Sequence, residues 1–329
     1  MKNYKFNFFI GIGSGVILIL LIIFTHGWMD LIHQINSLHM QWIIAAAFSM
    51  VLYWIFEAKT LQSIIFLIEK QYRFKKAFKV TMIGQYFNSI TPFASGGQPM
   101  QLYALTKQGL GAGSAGSALM IKFIIYQAIL TAYSLILIFW KASFFKSKMS
   151  NLFYLIGIGF VVNASVIMLL IIFSKYRKLT HKLIIILSKI LKKLRLVKDI
   201  SMIEMKINNN LDQFHDNMEI VKHSKRLLIK PVIYTIVQLT MIFIIPYFIY
   251  LSFGMMSARV GSMIAGTAFV MMLTAFIPLP GAVGGAEGAF YMFFSLFFAT
   301  NNIMAAILVW RLVTFYSCII FGFYAFMKE

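Results

Sequence analysis

One carboxylate, Glu287, lies in a strongly apolar part of the sequence where prolines and glycines are concentrated. The stretch Phe276–Tyr291 reads FIPLPGAVGGAEGAFY, and Glu287 is the only acidic residue between Glu219 and Glu329. An ionisable side chain inside a membrane span costs at least about 2.5 kcal/mol and by default marks a functional site. Proline and glycine disfavour a straight helix, and irregular backbone at membrane depth is tolerated only when it is buried in protein or lines a wet cavity. This stretch is therefore the first candidate for a functional site.

The second candidate is a cation, Arg311, about a third of the way along the final apolar run, Ile303–Phe326. We expect Arg311 to be buried among the helices, because charged side chains within a span face the protein interior. Arginine is a permanent cation that suits a phosphodiester, and Glu287 could pair with a cationic headgroup or with Arg311 itself. The alternative is a buried Glu287–Arg311 pair that only fixes helix packing.

A second stretch, Gly84–Leu105, has the same character and reads GQYFNSITPFASGGQPMQLYAL. The pattern P-x-x-x-G-G occurs at Pro92–Gly97 and again at Pro280–Gly285, 188 residues later. Paired Gly/Pro-interrupted segments in the two halves of a chain indicate a transporter-like site built from broken helices. The alternative is that glycine and proline are simply frequent in membrane helices.

Broken helices offer chemistry that suits a phosphate group. Their N-termini present free backbone N–H groups at the positive end of the helix dipole, and glycine lets a ligand approach the backbone closely. The predicted substrate-binding residues come from the two stretches and the final apolar run: Asn88, Pro92, Gly96, Gly97, Gln98, Gln101, Pro278, Pro280, Gly281, Gly284, Gly285, Glu287, Arg311 and Tyr316.

A membrane-embedded enzyme, such as a lipid-linked transferase, is the second reading of these residues. It would need a general base beside the substrate, which is usually a histidine or a tuned carboxylate. The sequence has no H-E-x-x-H motif, no Cys/His metal spacing and no Walker loop, so we predict no catalytic residue, metal or cofactor. The histidines all fall in predicted loops or in a basic connection: His26, His33, His39, His181, His215 and His223.

The composition indicates an all-α polytopic membrane protein. Of 329 residues, 60% are hydrophobic and 12% charged, and the mean hydropathy is +0.81. We expect about seven to eight transmembrane helices plus two broken, re-entrant elements that form an inverted repeat. The predicted apolar runs are Phe6–Phe24 (a retained span, not a signal peptide), Trp42–Ile68, Ser117–Trp140, Leu152–Ser174, Pro231–Phe253 with a kink at Pro246, Val260–Ile277, Phe290–Ala299 and Ile303–Phe326.

The net charge of +20 indicates a topology and not a nucleic-acid partner, because the basic residues lie between the spans. The connection Lys175–Lys230 holds 14 Lys and Arg, whereas the loop His26–Gln41 has none. Basic loops stay inside, so we predict that both termini are cytoplasmic and that Lys175–Lys230 is an amphipathic helical hairpin on anionic inner-leaflet lipids. The chain then divides into a membrane half, 1–174, with its broken element at 84–105, the hairpin 175–230, and a second half, 231–329, with its element at 276–291.

Three further charged residues fall in or near the spans. We interpret Glu57 and Lys59, late in the second span, as an interfacial pair. Lys122 lies early in the third span, close enough to its end for the ammonium to snorkel to the surface.

Three motifs in this order, TPFASGGQPMQLYAL, IPLPGAVGGAEGAFY and WRLVTFY (Trp310–Tyr316), resemble the lysyl-phosphatidylglycerol synthase/flippase transmembrane-region family. This is the lipid-translocating part of the multiple peptide resistance factor, which also occurs as stand-alone proteins. The resemblance covers most of the chain. It implies a multi-pass protein of a bacterial plasma membrane whose re-entrant elements meet at a central cavity for a phospholipid or a polyprenyl-phosphate lipid.

The resemblance does not carry over aminoacyl transfer, because in two-part members that chemistry belongs to a soluble domain that we do not expect here. Many relatives place a basic residue shortly after the first Gly-Gly, where this chain has Gln98 and Gln101. The lipid is therefore left open between lysyl-phosphatidylglycerol and another anionic or polyprenyl-phosphate lipid.

Three functions follow as hypotheses. The first is a lipid translocase or scramblase, and the second is a transferase component of the lysyltransferase or lipid-linked type. The third is a scaffold that recruits a separate lipid-modifying enzyme through the hairpin Lys175–Lys230. Deleting the hairpin would abolish the function of a scaffold but leave a translocase partly active.

Overall fold

The computed structural model describes residues 28–148, 152–177, 182, 209–219, 225–274 and 277–329, and within these every regular element is helical. The predicted first span, Phe6–Phe24, and most of the predicted hairpin Lys175–Lys230 lie outside them. The helices are α1 (Trp28–Asn36), α2 (Met40–Ile65), α3 (Phe74–Ile90), α4 (Gly97–Lys107), α5 (Ala112–Lys148), α6 (Leu152–Lys175), α7 (Ile229–Phe243), α8 (Ile245–Ser252), α9 (Val260–Thr274), α10 (Gly285–Phe294), α11 (Ile303–Arg311) and α12 (Ser317–Met327).

Four helical stretches among the described residues are long and apolar enough to cross a membrane: Met40–Ile65, Ala112–Lys141, Arg226–Ser252 and Ile303–Met327. Shorter apolar helices cover Asn163–Ile172 and Val260–Thr274. The chain is therefore a multi-pass, all-helical membrane protein, as predicted. The count of about seven to eight crossing helices stays a prediction.

Two of the crossing stretches are interrupted. The helix is interrupted close to the predicted kink, because α7 ends at Phe243 and α8 begins at Ile245 with Pro246 in its first turn. Proline lacks the N–H that would continue the helix and is well tolerated in a first turn. The final stretch contains a π-helical turn, Leu312–Tyr316, directly after Arg311. Such turns often mark functional positions.

Helices α3 and α4 form an antiparallel hairpin around a 3₁₀ turn, Pro92–Ala94. At the end of the hairpin away from the turn, the Tyr72 hydroxyl donates a 2.8 Å hydrogen bond to Gln108 Oε1 and so links the two chain ends of the hairpin. Burial raises the pKa of Tyr72 well above its usual value, so this donor stays protonated. With 17 and 11 residues, the two helices are about 25 and 16 Å long, less than a hydrocarbon core of about 30 Å.

Helices α9 and α10 form the second hairpin, around the 3₁₀ turn Pro280–Ala282. Phe269 and Phe293 stack across it with ring centroids 5.3 Å apart. The predicted helical run Phe290–Ala299 is shifted, because α10 begins at Gly285, the second glycine of the Gly-Gly step, and ends at Phe294. The glycines therefore start the helix and do not separate it from the turn.

The two hairpins open toward opposite ends of the helix bundle, and α5 shows the distance between these ends. Its stretch Ala112–Lys141 has 30 residues and is therefore about 45 Å long. The first hairpin opens where α5 begins, since α4 leads directly into it. The second opens near Lys141, whose Cε would lie 3.4 Å from a Cβ at Gly261 in α9. The two 3₁₀ turns contact each other between these ends.

We call the two ends the basic end and the far end. At the basic end, Lys79 Nζ lies 2.6 Å from Glu329 Oε2, and Lys107 Nζ donates to the Glu329 main-chain oxygen. The helical segment 209–219 is also at this end, because Asn217 Nδ2 donates to Ser114 Oγ at 3.1 Å.

The far end holds the start of α2 and the end of α8, where His39 N–H donates to the Ser252 carbonyl at 2.8 Å. The described part of the loop without lysine or arginine, from Trp28 onward, thus lies opposite the C-terminal residues and segment 209–219, as the predicted topology requires. That the basic end faces the cytoplasm stays a prediction.

Candidate functional site

The two 3₁₀ turns have the same backbone conformation, residue by residue. Their central residues, Phe93 and Gly281, have φ of 54° and 60°. The next residues, Ala94 and Ala282, have φ of 51° and 52°. Left-handed conformations of non-glycine residues cost about 1–3 kcal/mol each and cluster at functional sites. The P-x-x-x-G-G repeat therefore specifies the same turn twice, although the two segments differ after it, where Gly96 has φ of −80° and Gly284 has φ of 82°.

The hydrogen bonds of the two turns also correspond. Ala94 N–H donates to the Thr91 carbonyl at 3.2 Å, and Ala282 N–H donates to the Leu279 carbonyl at 2.9 Å. In the second turn the central position must be glycine, since a Cβ on Gly281 would lie 2.1 Å from a ring carbon of Phe315.

The sequence led us to expect free N–H groups at the Gly-Gly steps, but in the first hairpin both glycine N–H groups are paired. Gly97 N–H donates to Asn88 Oδ1 at 3.1 Å, and Gly96 N–H donates to Thr91 Oγ1 at 2.8 Å. Asn88 of α3 and Thr91, which directly follows α3, therefore cap the start of α4, because the first N–H groups of a helix have no partner within it. Glycine is needed for this contact, since a Cβ on Gly97 would lie 2.0 Å from Asn88 Oδ1.

Glu287 plays the same part in the second hairpin, because its Oε2 accepts a 2.7 Å hydrogen bond from Gly284 N–H. Its other oxygen, Oε1, accepts from Arg311 Nε at 2.7 Å. Arg311 Nη1 donates to the Gly281 carbonyl at 3.1 Å. The carboxylate and the guanidinium together connect the second turn, the start of α10 and the end of α11.

Arg311 is buried, with 5% of its side chain exposed, whereas Glu287 is 14% exposed. The guanidinium carbon lies 5.1 Å from the ring centroids of both Trp310 and Phe315. Arginine has five N–H donors, and the Nη2 group of Arg311 is buried with no hydrogen-bond partner among the described residues. An unsatisfied buried donor of a charged group is costly, so Nη2 is the atom of this site that a ligand would satisfy.

The other predicted residues divide by position. Pro92, the first residue of its turn, is exposed, and so are Pro278, which precedes the second turn, and Gln98 on α4. Tyr316 lies in the π-helical turn, half-buried against Phe315, with ring centroids 5.0 Å apart. The structure thus brings residues of the second stretch together with Arg311.

Gln101 belongs to another group of buried polar side chains, which the sequence reading did not bring together. Lys122 Nζ lies 2.6 Å from Glu57 Oε1 and 3.5 Å from Gln101 Oε1. Gln85 Nε2 donates to the second oxygen of Glu57. This group joins α2, α3, α4 and α5 in the interior of the first half.

The interpretation of Glu57 and Lys59 as a pair is therefore wrong, and so is snorkelling of Lys122. Glu57 lies on the buried face of α2 with 6% of its surface exposed, and there Lys122 is its partner. Lys59 Nζ instead lies 5.4 Å from the ring centroid of Phe56. The sequence did contain a signal for this pair. Glu57 and Lys122 carry opposite charges and both lie within predicted spans, which favours pairing in the protein interior.

The two buried cations occupy corresponding positions of the repeat. Lys122 follows Gly97 by 25 residues, and Arg311 follows Gly285 by 26. Each cation lies on the helix that comes after its hairpin, and each pairs with a carboxylate. The partners differ, because Glu287 belongs to the hairpin itself whereas Glu57 comes from α2.

Comparison with curated proteins found no match. A family model described as the lysylphosphatidylglycerol synthase transmembrane region matches residues 9–322, which is nearly the whole chain and includes both hairpins and Arg311. The chain therefore belongs to the lysylphosphatidylglycerol synthase transmembrane-region family.

Proposed function

We propose that the protein translocates a phosphorylated membrane lipid, whose headgroup passes the contact between the two hairpin turns. Family membership indicates a function related to membrane lipids. The observation that carries the proposal is the buried Nη2 group of Arg311, a donor without a partner among the described residues, beside a turn held by two ion-paired side chains.

The site has the chemistry of transient phosphate binding. A phosphodiester oxygen would accept from Arg311 Nη2, while Nε and Nη1 stay on Glu287 and Gly281. Glu287 neutralises the cation, so the pair attracts an anion less strongly than a free arginine would. Transport requires such a compromise, because binding must be favourable enough for arrival and weak enough for release.

The backbone around the second turn leaves room for this ligand. Gly284 is exposed, has φ of 82°, and a Cβ on it would meet no atom within 4 Å. Leu279, next to the turn, exposes 51% of its surface, and Phe93 of the first turn exposes 58%. A headgroup could approach Arg311 from this side while its acyl chains contact the apolar tips.

In the proposed arrangement both hairpins are re-entrant elements of an inverted repeat in a bacterial plasma membrane. Residues 1–174 and 231–329 form the two membrane halves, and 175–230 lies on the anionic cytoplasmic leaflet. Hairpins too short to cross, opening to opposite ends and touching at their turns, are what such a repeat requires. Lysyl-phosphatidylglycerol and other anionic or polyprenyl-phosphate lipids are the candidate substrates.

The experiment is a translocation assay on the full chain reconstituted in vesicles. Fluorescent phosphatidylglycerol in the inner leaflet becomes accessible to an external quencher when it is translocated. We expect the wild type to translocate and Arg311→Gln to lose most activity. Lys59→Gln is the matched control, because it removes a cation that only contacts aromatic rings. Equal activity of wild type and Arg311→Gln would contradict the proposal.

A further inference from the structure

A second cavity lies at the far end of the bundle, at the open end of the α9–α10 hairpin and apart from the Glu287–Arg311 pair. Its volume is about 440 Å³. Its wall combines two cations, two serines and three apolar side chains: Lys141, Arg259, Ser257, Ser262, Ala258, Leu296 and Phe297. We call it the far-end cavity.

Within the part of the chain that the structure describes, the positive charge of the far-end cavity has no carboxylate partner. Neither Lys141 nor Arg259 forms an ion pair with a carboxylate of the described residues. Lys141 Nζ instead lies 4.3 Å from the ring centroid of Trp140. Two cations on one concave surface attract an anion, and the low-dielectric walls of a cleft strengthen that attraction.

A serine in the wall points to the same ligand. Ser262 exposes only 5% of its surface and lines the cavity, where its hydroxyl can reach a bound group. The neighbouring loop is fixed in place, since the Tyr250 hydroxyl lies 2.9 Å from Ser257 Oγ and accepts from Ala258 N–H at 3.2 Å. A hydroxyl beside two cations in an ordered wall suits an oxyanion.

The close approach of α5 to α9 forms one side of this cavity. A Cβ on Gly261 would lie 2.8 Å from two ring carbons of Trp140 and 3.4 Å from Lys141 Cε. The absence of a side chain at Gly261 therefore lets α5 place its lysine at the start of α9, beside Arg259. The cavity depends on this contact between helices and not on one loop.

We propose that the far-end cavity binds the phosphate group of an anionic phospholipid. Lys141, Arg259 and Ser262 would hold the phosphate oxygens, and Leu296 and Phe297 would contact the apolar part of the lipid. The apolar wall favours a lipid over free phosphate. The site's role in transport, as the place where a headgroup arrives after passing Arg311 or from which it departs, rests on the proposed translocase function.

Photocrosslinking to the full chain tests the binding itself. With benzoylphenylalanine in place of Phe297, the purified protein in mixed micelles is irradiated with equal amounts of phosphatidylglycerol and phosphatidylcholine. Mass spectrometry of the adduct reports which lipid occupies the cavity. We expect phosphatidylglycerol to dominate, and the double variant Lys141→Gln/Arg259→Gln to reduce its adduct roughly tenfold.

Arg226→Gln/Lys230→Gln is the matched control, because it also removes one arginine and one lysine, but at the basic end. It should crosslink phosphatidylglycerol like the wild type. Equal adducts of the two lipids, or an unchanged phosphatidylglycerol adduct in the Lys141/Arg259 variant, would overturn the proposal. If an excess of inorganic phosphate displaced the lipid, the cavity would be a site for oxyanions in general, and the assignment to a lipid would be wrong.

The outcome is independent of translocation. Arg311→Gln should leave the adduct at Phe297 intact even when it abolishes transport, since Arg311 does not line the far-end cavity. Failure of the transport proposal and failure of this one are therefore distinguishable.

Discussion

The double variant Arg311→Gln/Glu287→Gln separates a lipid site from a structural ion pair. Each single variant leaves one buried charge without its partner, which costs about 3–5 kcal/mol when a buried pair is broken. For Arg311→Gln we expect a loss of stability near the lower end of this range. Glu287 would keep its 2.7 Å hydrogen bond from Gly284 N–H, and its side chain is 14% exposed and therefore partly solvated. Glu287→Gln should also stay near that limit, since the amide oxygen can still accept from Arg311 Nε.

The double variant should recover most of this stability. Two amides leave no charge unpaired, and replacing a buried ion pair by neutral groups of similar volume is often neutral or stabilising. Transport, however, loses the guanidinium donor to the phosphate. A charge-assisted hydrogen bond contributes about 1.5–3 kcal/mol, so the translocation rate should fall roughly ten- to hundredfold.

Two measurements on the same preparations decide the question. The thermal midpoint of the purified protein reports stability, and the quencher assay in reconstituted vesicles reports translocation. We expect lowered midpoints for both single variants, a midpoint near wild type for the double variant, and low transport in all three. A double variant that is stable and fully active would refute the reasoning, because the pair would then serve only helix packing.

Three further predictions follow from the hairpins and their surroundings. Gly281→Ala should abolish transport, since a Cβ there would lie 2.1 Å from an aromatic ring atom, whereas Gly288→Ala, with open space around it, should transport normally; both are measured in the quencher assay. Glu57→Gln should lower the thermal midpoint by the equivalent of about 3 kcal/mol, because it leaves a buried lysine unpaired; an unchanged midpoint would mean the pair contributes nothing. A cysteine at Ile35 should react with an impermeant thiol reagent on intact cells and one at Asn208 should not; labelling of Asn208 from outside would overturn the topology.

The sequence was sufficient for features that depend on local chemistry. The helix break next to Pro246 could be predicted from the proline alone, because the hydrogen bond that proline cannot donate is lost within one turn of the helix. The repeated P-x-x-x-G-G pattern likewise predicts two equivalent breaks, and the matching φ angles of Phe93 and Gly281 show that the two turns share one conformation.

Contacts that depend on how one helix is rotated against another could not be predicted from the sequence. Helix α5 is apolar on nearly every side, so no amphipathic pattern shows which face of it meets Glu57 on α2. Lys122 therefore looked like a residue near a helix end and not the partner of a carboxylate 65 residues earlier. The capping of Gly97 by Asn88 was hidden for a related reason, because it needs the hairpin to be closed first.

The two turns of the repeat share a backbone conformation, but the buried cations near them differ in how completely they are paired. In the first half, the ammonium of Lys122 contacts both Glu57 and Gln101, and Glu57 is further held by Gln85. In the second half, Arg311 contacts one carboxylate and one carbonyl and keeps its Nη2 donor unused. Because an unsatisfied donor of a buried cation is costly, we expect a phosphate beside the second turn and not beside the first.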